Sequence, residues 1–106
     1  MKITCVRTYH LRDYLDVPFG FSQWFYDTRN TLWVEIVAED GTAGWGECYG
    51  PTEVYQTAVT SFYAPRLLGL DALATDVLWH TMWRASLDFA RGGIMMGAMS
   101  GIDMAL

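Results

Sequence analysis

The stretch from Arg29 to Gly50, RNTLWVEIVAEDGTAGWGECYG, constrains the fold more than any other part of the chain. Leu32, Val34 and Ile36 alternate with Trp33, Glu35 and Val37. Period-two alternation in β-branched and aromatic residues is the pattern of a strand with one buried face. Asp40-Gly41 follows. It is a strong two-residue hairpin signal, because glycine takes positive φ without steric cost. Thr42 to Glu47 then returns as a second strand, with Ala43, Trp45 and Glu47 on one side and Thr42, Gly44 and Gly46 on the other. Glycines inside a strand weaken it, so Gly44 and Gly46 point to a close backbone approach or a bulge. An ordinary hairpin with a flexible exit is the plainer alternative.

The flanks complete an outline. Met1 to Leu11 reads as a first strand, with Ile3, Cys5, Tyr9 and Leu11 on one face and Val6 opposite. Arg12 to Asp27 shows no period. Pro18 and Gly20 punctuate it, and Phe19, Phe21, Trp24, Phe25 and Tyr26 crowd it. Connections this long inside a small domain are uncommon and often bind or cover something. Two readings stay open: the aromatics tuck onto the domain's own core, or they close over a ligand or second domain, with Gln23, Tyr26 and Arg29 offering hydrogen bonds.

Pro51 and Thr52 open a helix, Thr52 as its cap or Pro51 as its first turn. Val54, Ala58, Ser61 and Phe62 form its expected buried stripe, with Tyr55 and Val59, and Ala64-Pro65 ends it. A short turn then runs to Gly69. A second helix runs from about Leu73 to Ser86, with Leu78, Met82 and Ala85 in one stripe and Trp79 and Trp83 stacked four residues apart. A third runs from about Ile94 to the last residue. Gly93, Gly97 and Gly101, spaced by four, give it a face that another backbone can approach, with a helix or sheet of its own protein as the first expectation. The sequence stops without a helix cap, which leads to the expectation of a piece of a larger fold. Ile94, Ile102 and Leu106, left uncovered beside the glycines, lead to the further expectation of a homo-oligomer.

Little chemistry is written into these residues. With 12 acidic and 7 basic residues the formal net charge is −5, which argues against a grip on nucleic acid or anionic membrane. Lys2 is the sole lysine, and His10 and His80 are the only histidines. His10 is expected near a strand end, and both histidines are read as structural. There is no phosphate loop, nucleotide fingerprint, metal-ligand spacing or nucleophile-base pair, so no catalytic or metal residue is assigned. Cys5 and Cys48 match no metal spacing. They fit a reduced, cytoplasmic protein, with one disulfide left open. Glu47 stands apart from the other carboxylates, because it sits where a strand empties into Cys48-Tyr49-Gly50-Pro51. It either is solvated or faces a cleft.

The order of several short runs carries a resemblance. Met1-Lys2-Ile3 begins a strand, and Asn30-Thr31-Leu32 enters one ending in Asp40-Gly41. Gly44-Trp45-Gly46-Glu47 follows, then Pro65-Arg66-Leu67-Leu68-Gly69, then Ala98-Met99-Ser100-Gly101-Ile102-Asp103-Met104-Ala105-Leu106. Over essentially its whole length the chain resembles the N-terminal capping domain of the mandelate racemase/muconate lactonizing enzymes of the enolase superfamily. The resemblance implies an α+β fold, a three-stranded antiparallel meander followed by a helical bundle. Residues 1–92 would be the cap, and 93–106 the first helix leading into a (β/α) barrel domain that this sequence does not include. It also implies substrate-capping roles for Phe19, Gln23, Trp24, Tyr26, Glu47, Cys48 and Tyr49. The family's enzymes abstract the proton α to a carboxylate and stabilise the enediolate with Mg²⁺. The substrate would then be a hydroxy acid or acid sugar, and the parent a dehydratase or racemase, with these 106 residues inactive alone. A freestanding binding or structural domain is the competing expectation.

Overall fold

Two long strands carry the sheet. In the computed structural model, which describes residues 1–106, β1 (Ile3–Phe21) pairs antiparallel with β2 (Trp24–Ala38). The third strand, β3 (Ala43–Cys48), pairs antiparallel with the other edge of β2, giving the order β1-β2-β3. Helices α1 (Thr52–Thr57), α2 (Ala64–Leu67), α3 (Thr75–Ala85) and α4 (Gly93–Ala105) follow, and most of them cover one face of the sheet. The fold is the expected α+β arrangement. Leu32, Val34 and Ile36 are buried in one core with Val59, Tyr63, Leu78, Met82, Met99 and Ile102. Trp33 lies on the open face, 40% exposed.

The first strand departs from the expected faces. Ile3 pairs with Ala38 but Cys5 with Val37, so Thr4 is an extra residue on β1. One extra residue reverses the side on which every later side chain falls. Ile3 is therefore in the core, whereas Tyr9 lies on the open face against Trp45, ring centroids 5.5 Å apart. Val6, not Cys5, packs toward the core. On the open face Glu35 is nearly buried and accepts hydrogen bonds from Tyr9 Oη (2.8 Å) and Arg7 Nη1 (3.2 Å).

The turn after β2 is longer than a two-residue hairpin. Ala38 donates its N–H to Thr42 O, and Gly41 donates to Ala38 O, so Glu39, Asp40 and Gly41 form a three-residue connection. Gly41 supplies the left-handed residue with φ +88°, as a type I turn closed by a glycine bulge requires. Asp40 accepts from both the Thr42 N–H and the Thr42 hydroxyl, and these bonds hold its carboxyl below the ordinary range.

Gly44 and Gly46 mark a close approach, as the glycine pattern suggested. α4 lies directly on β3. A Cβ on Gly46 would run into Gly101 O, and one on Gly44 into Ala105 O. On the helix side, Gly101 faces Cys48 Sγ and Gly97 faces the Tyr55 ring. Gly97 and Gly101 thus pack on a helix and the sheet of their own protein, as first expected, and the further expectation of a bare face is corrected: both are covered from within, and Ile102 is buried. Gly93 takes no part in this packing and opens the helix with φ +67°. Self-association loses the support that this face was expected to give.

Between α1 and α2 the rod widens. Ala58–Tyr63 is a π-helical segment, and the Ala64 N–H reaches back to Val59 O. That added residue per turn rotates the buried face. Tyr55, Ala58, Val59 and Tyr63 are buried, while Val54 and Ser61 of the expected stripe are exposed. Ala64-Pro65 does not end the rod; Pro65 follows directly on the widened turn, at the start of α2. In α3, Leu78 and Met82 are buried, and the Trp79 and Trp83 rings stack 5.5 Å apart at 17°, as expected. No helix is long and apolar enough to cross a membrane.

The N-terminus is tied down. Gly69 donates to Ile3 O, Ile3 donates to Leu70 O, and the Met1 ammonium lies 2.9 Å from Asp71 Oδ1. Asp71 is held below its ordinary carboxyl value chiefly by the ammonium hydrogen bond, and the ammonium is raised above its ordinary 8.0 by Asp71. The carboxylate's contribution to stability is lost as pH falls through its lowered pKa. The ammonium's is complete below pH 8.0 and lost as pH rises through its raised pKa. Asp71→Asn should therefore flatten the pH dependence of Tm at both ends of that window, relative to the unsubstituted chain.

Candidate functional site

The segment expected as an irregular loop is a hairpin arm. Residues 12–27 continue β1 and the start of β2, with Asp13 opposite Arg29 and Phe21 opposite Trp24, and Ser22-Gln23 forms the tip. Between the pairs Tyr14/Thr28 and Phe19/Tyr26 the register breaks, leaving Leu15, Asp16, Val17 and Pro18 against the single Asp27. Pro18 cannot donate to a ladder and sits in this bulge, where no ladder bond is asked of it. The bulge and the proline erase the period that would have announced the strands. Phe19, Phe21, Trp24 and Phe25 are all more than half exposed. They are not part of the domain's own core.

At its base the arm forms one wall of a polar cleft of about 450 Å³. Arg12, Tyr26, Thr28, Arg29 and Asn30 line it from the strands. Tyr49, Gly50, Pro51, Thr52 and Glu53 line it from the corner between β3 and α1. The alternation along the arm delivers Arg12, Thr28 and Asn30 to one face, since Arg12 pairs with Asn30 and Tyr14 with Thr28; Arg29, between Thr28 and Asn30, falls outside that alternation. Gly50 turns the chain into α1 with φ +141°, and a Cβ there would strike the Tyr55 ring. The Arg29 guanidinium lies 4.7 Å from the centroid of the Phe19 ring. Arg12 Nε donates to Asn30 Oδ1 at 2.8 Å. Across the cleft the Glu53 carboxyl is held low by its own backbone N–H and the Thr52 hydroxyl, with the His10 and Arg12 charges adding.

The structure gathers some of the singled-out residues and separates others. Tyr26 and Tyr49 line the cleft. Phe19, Gln23 and Trp24 lie farther out on the arm. Glu47 points to the open face of the sheet, where its Oε1 accepts from the Thr31 hydroxyl. Cys48 does not reach the cleft. The strand alternation turns it into the core against Gly101, 1% exposed. Burial, with the Glu47 charge adding, raises its thiol to about 11. A thiol so placed resists alkylation. Iodoacetamide at pH 8 on the folded chain should modify Cys5 well before Cys48, read by peptide mass mapping, and denaturant should abolish the difference.

Arg12, Thr28, Asn30 and His10 were missed as site residues because their only signal is strand register, which the bulges hide, and Glu53 because it reads as an ordinary acid in the first turn of a helix. His10 is not near a strand end; it pairs with Leu32 in the middle of β1. The cleft brings together two arginines, hydroxyls and an amide, with the Glu53 carboxylate on the opposite wall, a set suited to a polar, hydroxylated ligand. No three His, Cys, Asp or Glu side chains converge as a metal site would need.

Comparison with known proteins places these features. Residues 3–106 match the family described as mandelate racemase / muconate lactonizing enzyme, N-terminal domain. The chain is 42% identical over 106 residues to a D-galactarolactone cycloisomerase of Agrobacterium fabrum, spanning all of this chain and 28% of that protein. It is 38% identical over 74 residues to an arabinonate dehydratase of Saccharolobus solfataricus, covering 68% of this chain and 20% of that one. Among solved structures, the 3,6-anhydro-D-galactonate cycloisomerase of Zobellia galactanivorans superposes with a TM-score of 0.85 at 40% identity, over 99% of this chain and 27% of its own. A racemase of Streptomyces coelicolor A3(2) with bound magnesium does so with a TM-score of 0.89 at 28% identity, over 97% and 30%. The chain thus spans less than a third of the length of each of these relatives.

Proposed function

The chain belongs to the mandelate racemase / muconate lactonizing enzyme N-terminal domain family, and on that premise we propose that it is the substrate-capping part of a longer enzyme acting on an acid sugar. The reaction class would be dehydration, racemisation or cycloisomerisation begun by removing the proton α to a carboxylate. The observation that carries this reading is the cleft itself, polar and lined by Arg12 and Arg29. Ligand pockets are usually lined mostly by apolar residues with a few polar groups; most of the residues lining this one are polar or charged, which suits a hydroxylated anion. The names of the relatives, cycloisomerases and a dehydratase of sugar acids, agree with it.

In this reading the helix α4 leads into a barrel domain, and Phe19, Gln23, Trp24 and Tyr26 close over the bound acid. The exposed aromatics of the arm exclude water, which strengthens the charge interactions inside. Tyr26, Gln23 and the arginines select among substrates by hydrogen bonds, the kind of contact that discriminates most sharply. Mg²⁺ dependence belongs to the same proposal, but these residues do not fit a Mg²⁺ site: their carboxylates do not converge. The metal's ligands and the proton-transferring base would lie outside residues 1–106.

The test is a chimera. The aligned stretch of the Agrobacterium fabrum cycloisomerase is replaced by this chain, and turnover of D-galactarolactone is measured. A folded chimera that turns the lactone over supports an acid-sugar cap. A folded chimera with no turnover of that lactone or of a panel of sugar acids would leave the freestanding-module reading.

A further inference from the structure

One polar bridge joins the two walls of the cleft, and His10 is at its centre. His10 Nε2 lies 3.0 Å from Thr52 Oγ1 and 3.3 Å from Asn30 Oδ1. The single Thr52 hydroxyl hydrogen goes to Glu53 Oε2, at 3.1 Å. Asn30 Oδ1 is an acceptor only, and it already receives the Arg12 Nε–H. With the Thr52 hydroxyl donating to Glu53, both neighbours of His10 Nε2 accept, and the tautomer with the hydrogen on Nε2 completes the bridge. Asn30 Nδ2 extends the chain of bonds to Thr28 Oγ1, at 3.3 Å.

The bridge crosses between elements that the backbone leaves independent at this end. Thr28, Asn30, His10 and Arg12 stand on the sheet, whereas Thr52 and Glu53 open α1. Thr52 is 3% exposed, and its helix has no side-chain cap. The corner at Gly50-Pro51 has instead the Pro51 carbonyl, accepting from the Val54 and Tyr55 N–H groups. Only side chains fix that corner to the arm.

We propose that His10 is a positioning residue: through Thr52 and Asn30 it locks the Gly50–Glu53 corner to the arginine-bearing strands, so that the two walls present one rigid surface to the substrate. This rests on the capping role proposed above. It departs from the structural role that a lone histidine on a strand suggests. The geometry asks for a donor at the Nε2 position alone. Glutamine places an amide nitrogen at nearly that reach, asparagine does not, and alanine removes it.

The test begins on this chain without any substrate. In His10→Ala, amide hydrogen exchange at Val54 and Tyr55 should speed up at least about tenfold, while Leu78 and Met82 in α3 exchange as before. His10→Gln should restore the slow rates to within about threefold, and His10→Asn should not. Unchanged rates in His10→Ala would overturn the proposal. So would acceleration that includes Leu78 and Met82 equally, since that is a global loss, or a failure of glutamine to rescue. The second arm measures the chimera: His10→Ala should raise KM several-fold more than it lowers kcat, and His10→Gln should reverse the effect. A loosened corner with unmoved KM would also overturn it. A chimera inactive before any substitution would count against the capping role instead, and the exchange result would stand apart from it.

Discussion

Gly46→Ala, with Gly44→Ala beside it, should be among the most damaging single-methyl changes this chain can acquire. A Cβ on Gly46 falls inside contact range of Gly101 O and close to Ala105 N, both backbone atoms of α4. Neither can swing aside as a side-chain tip does, so β3 and α4 must separate. Overpacking a tight interior costs about 1–3 kcal/mol and at times more, and a clash of backbone with backbone belongs at the upper end. For a domain of this size about 3 kcal/mol is a Tm fall of roughly 12 °C or more, out of a total stability of about 5–15 kcal/mol. Gly41→Ala is the control. Nothing lies within 4 Å of its Cβ, and its φ of +88° is the sole obstacle, a cost of about 1–2 kcal/mol. Thermal melts of the two variants should differ clearly in that order. A Gly46→Ala melt no lower than that of Gly41→Ala would mean that β3 and α4 do not pack so closely in solution.

That interface was half legible. Glycines at 44 and 46 announced a close approach from the strand side, and glycines at 97 and 101 from the helix side. The alternation of Leu32, Val34 and Ile36 placed the core face of β2 correctly for the same reason: one face of a sheet covered by helices imposes a strict period. What could not be read was that Gly44, Gly46 and Gly101 serve one contact, because half the chain separates strand from helix, and that Gly97 serves another, against the Tyr55 ring. The helix glycines could be expected to meet a helix or sheet of their own protein, but which one was not legible, and a face left bare by a missing partner stayed among the expectations.

The other misreadings share a cause. Thr4 and the run Leu15 to Pro18 each insert residues into a ladder, and each shifts the phase of the strand beyond it. Pattern arguments assume a constant phase, so β1 lost its face after Thr4 and the arm lost its strands altogether. The widened turn at Ala58–Tyr63 did the same to a helix stripe. The cleft inherits this illegibility. Arg12, Thr28 and Asn30 reach it by strand register alone, and nothing in their local sequence marks them. The arm's aromatics were visible as a surplus with two explanations, and their exposure removes one. Trp24, 59% exposed, contributes little to the domain core.

Arg29→Ala, placed in the cycloisomerase chimera, should cost kcat/KM about 10- to 150-fold while leaving the fold nearly untouched. A hydrogen bond to a charged group contributes about 1.5–3 kcal/mol, and each 1.4 kcal/mol is roughly a factor of ten. Arg29 lines the cleft and stacks on Phe19, so its loss removes both a cationic contact and the stacking that steadies the arm. Its exposed position limits the price in stability to about 1 kcal/mol at most, the worth of a solvated cation–π contact. Arg29→Lys keeps the charge but loses the planar fork that matches a carboxylate, so it should fall between the wild type and alanine. Salt adds a second reading. Screening shortens the reach of an exposed charge, so KM of the unsubstituted chimera should climb with ionic strength, and that of Arg29→Ala should climb less. The competing account makes Arg29 a prop for the arm alone. On that account Arg29→Met, which keeps much of the apolar stem, would retain kcat/KM, and the salt dependence would survive the substitution. Kinetics of the three variants at two ionic strengths, with a melt of each, separate a substrate contact from a prop.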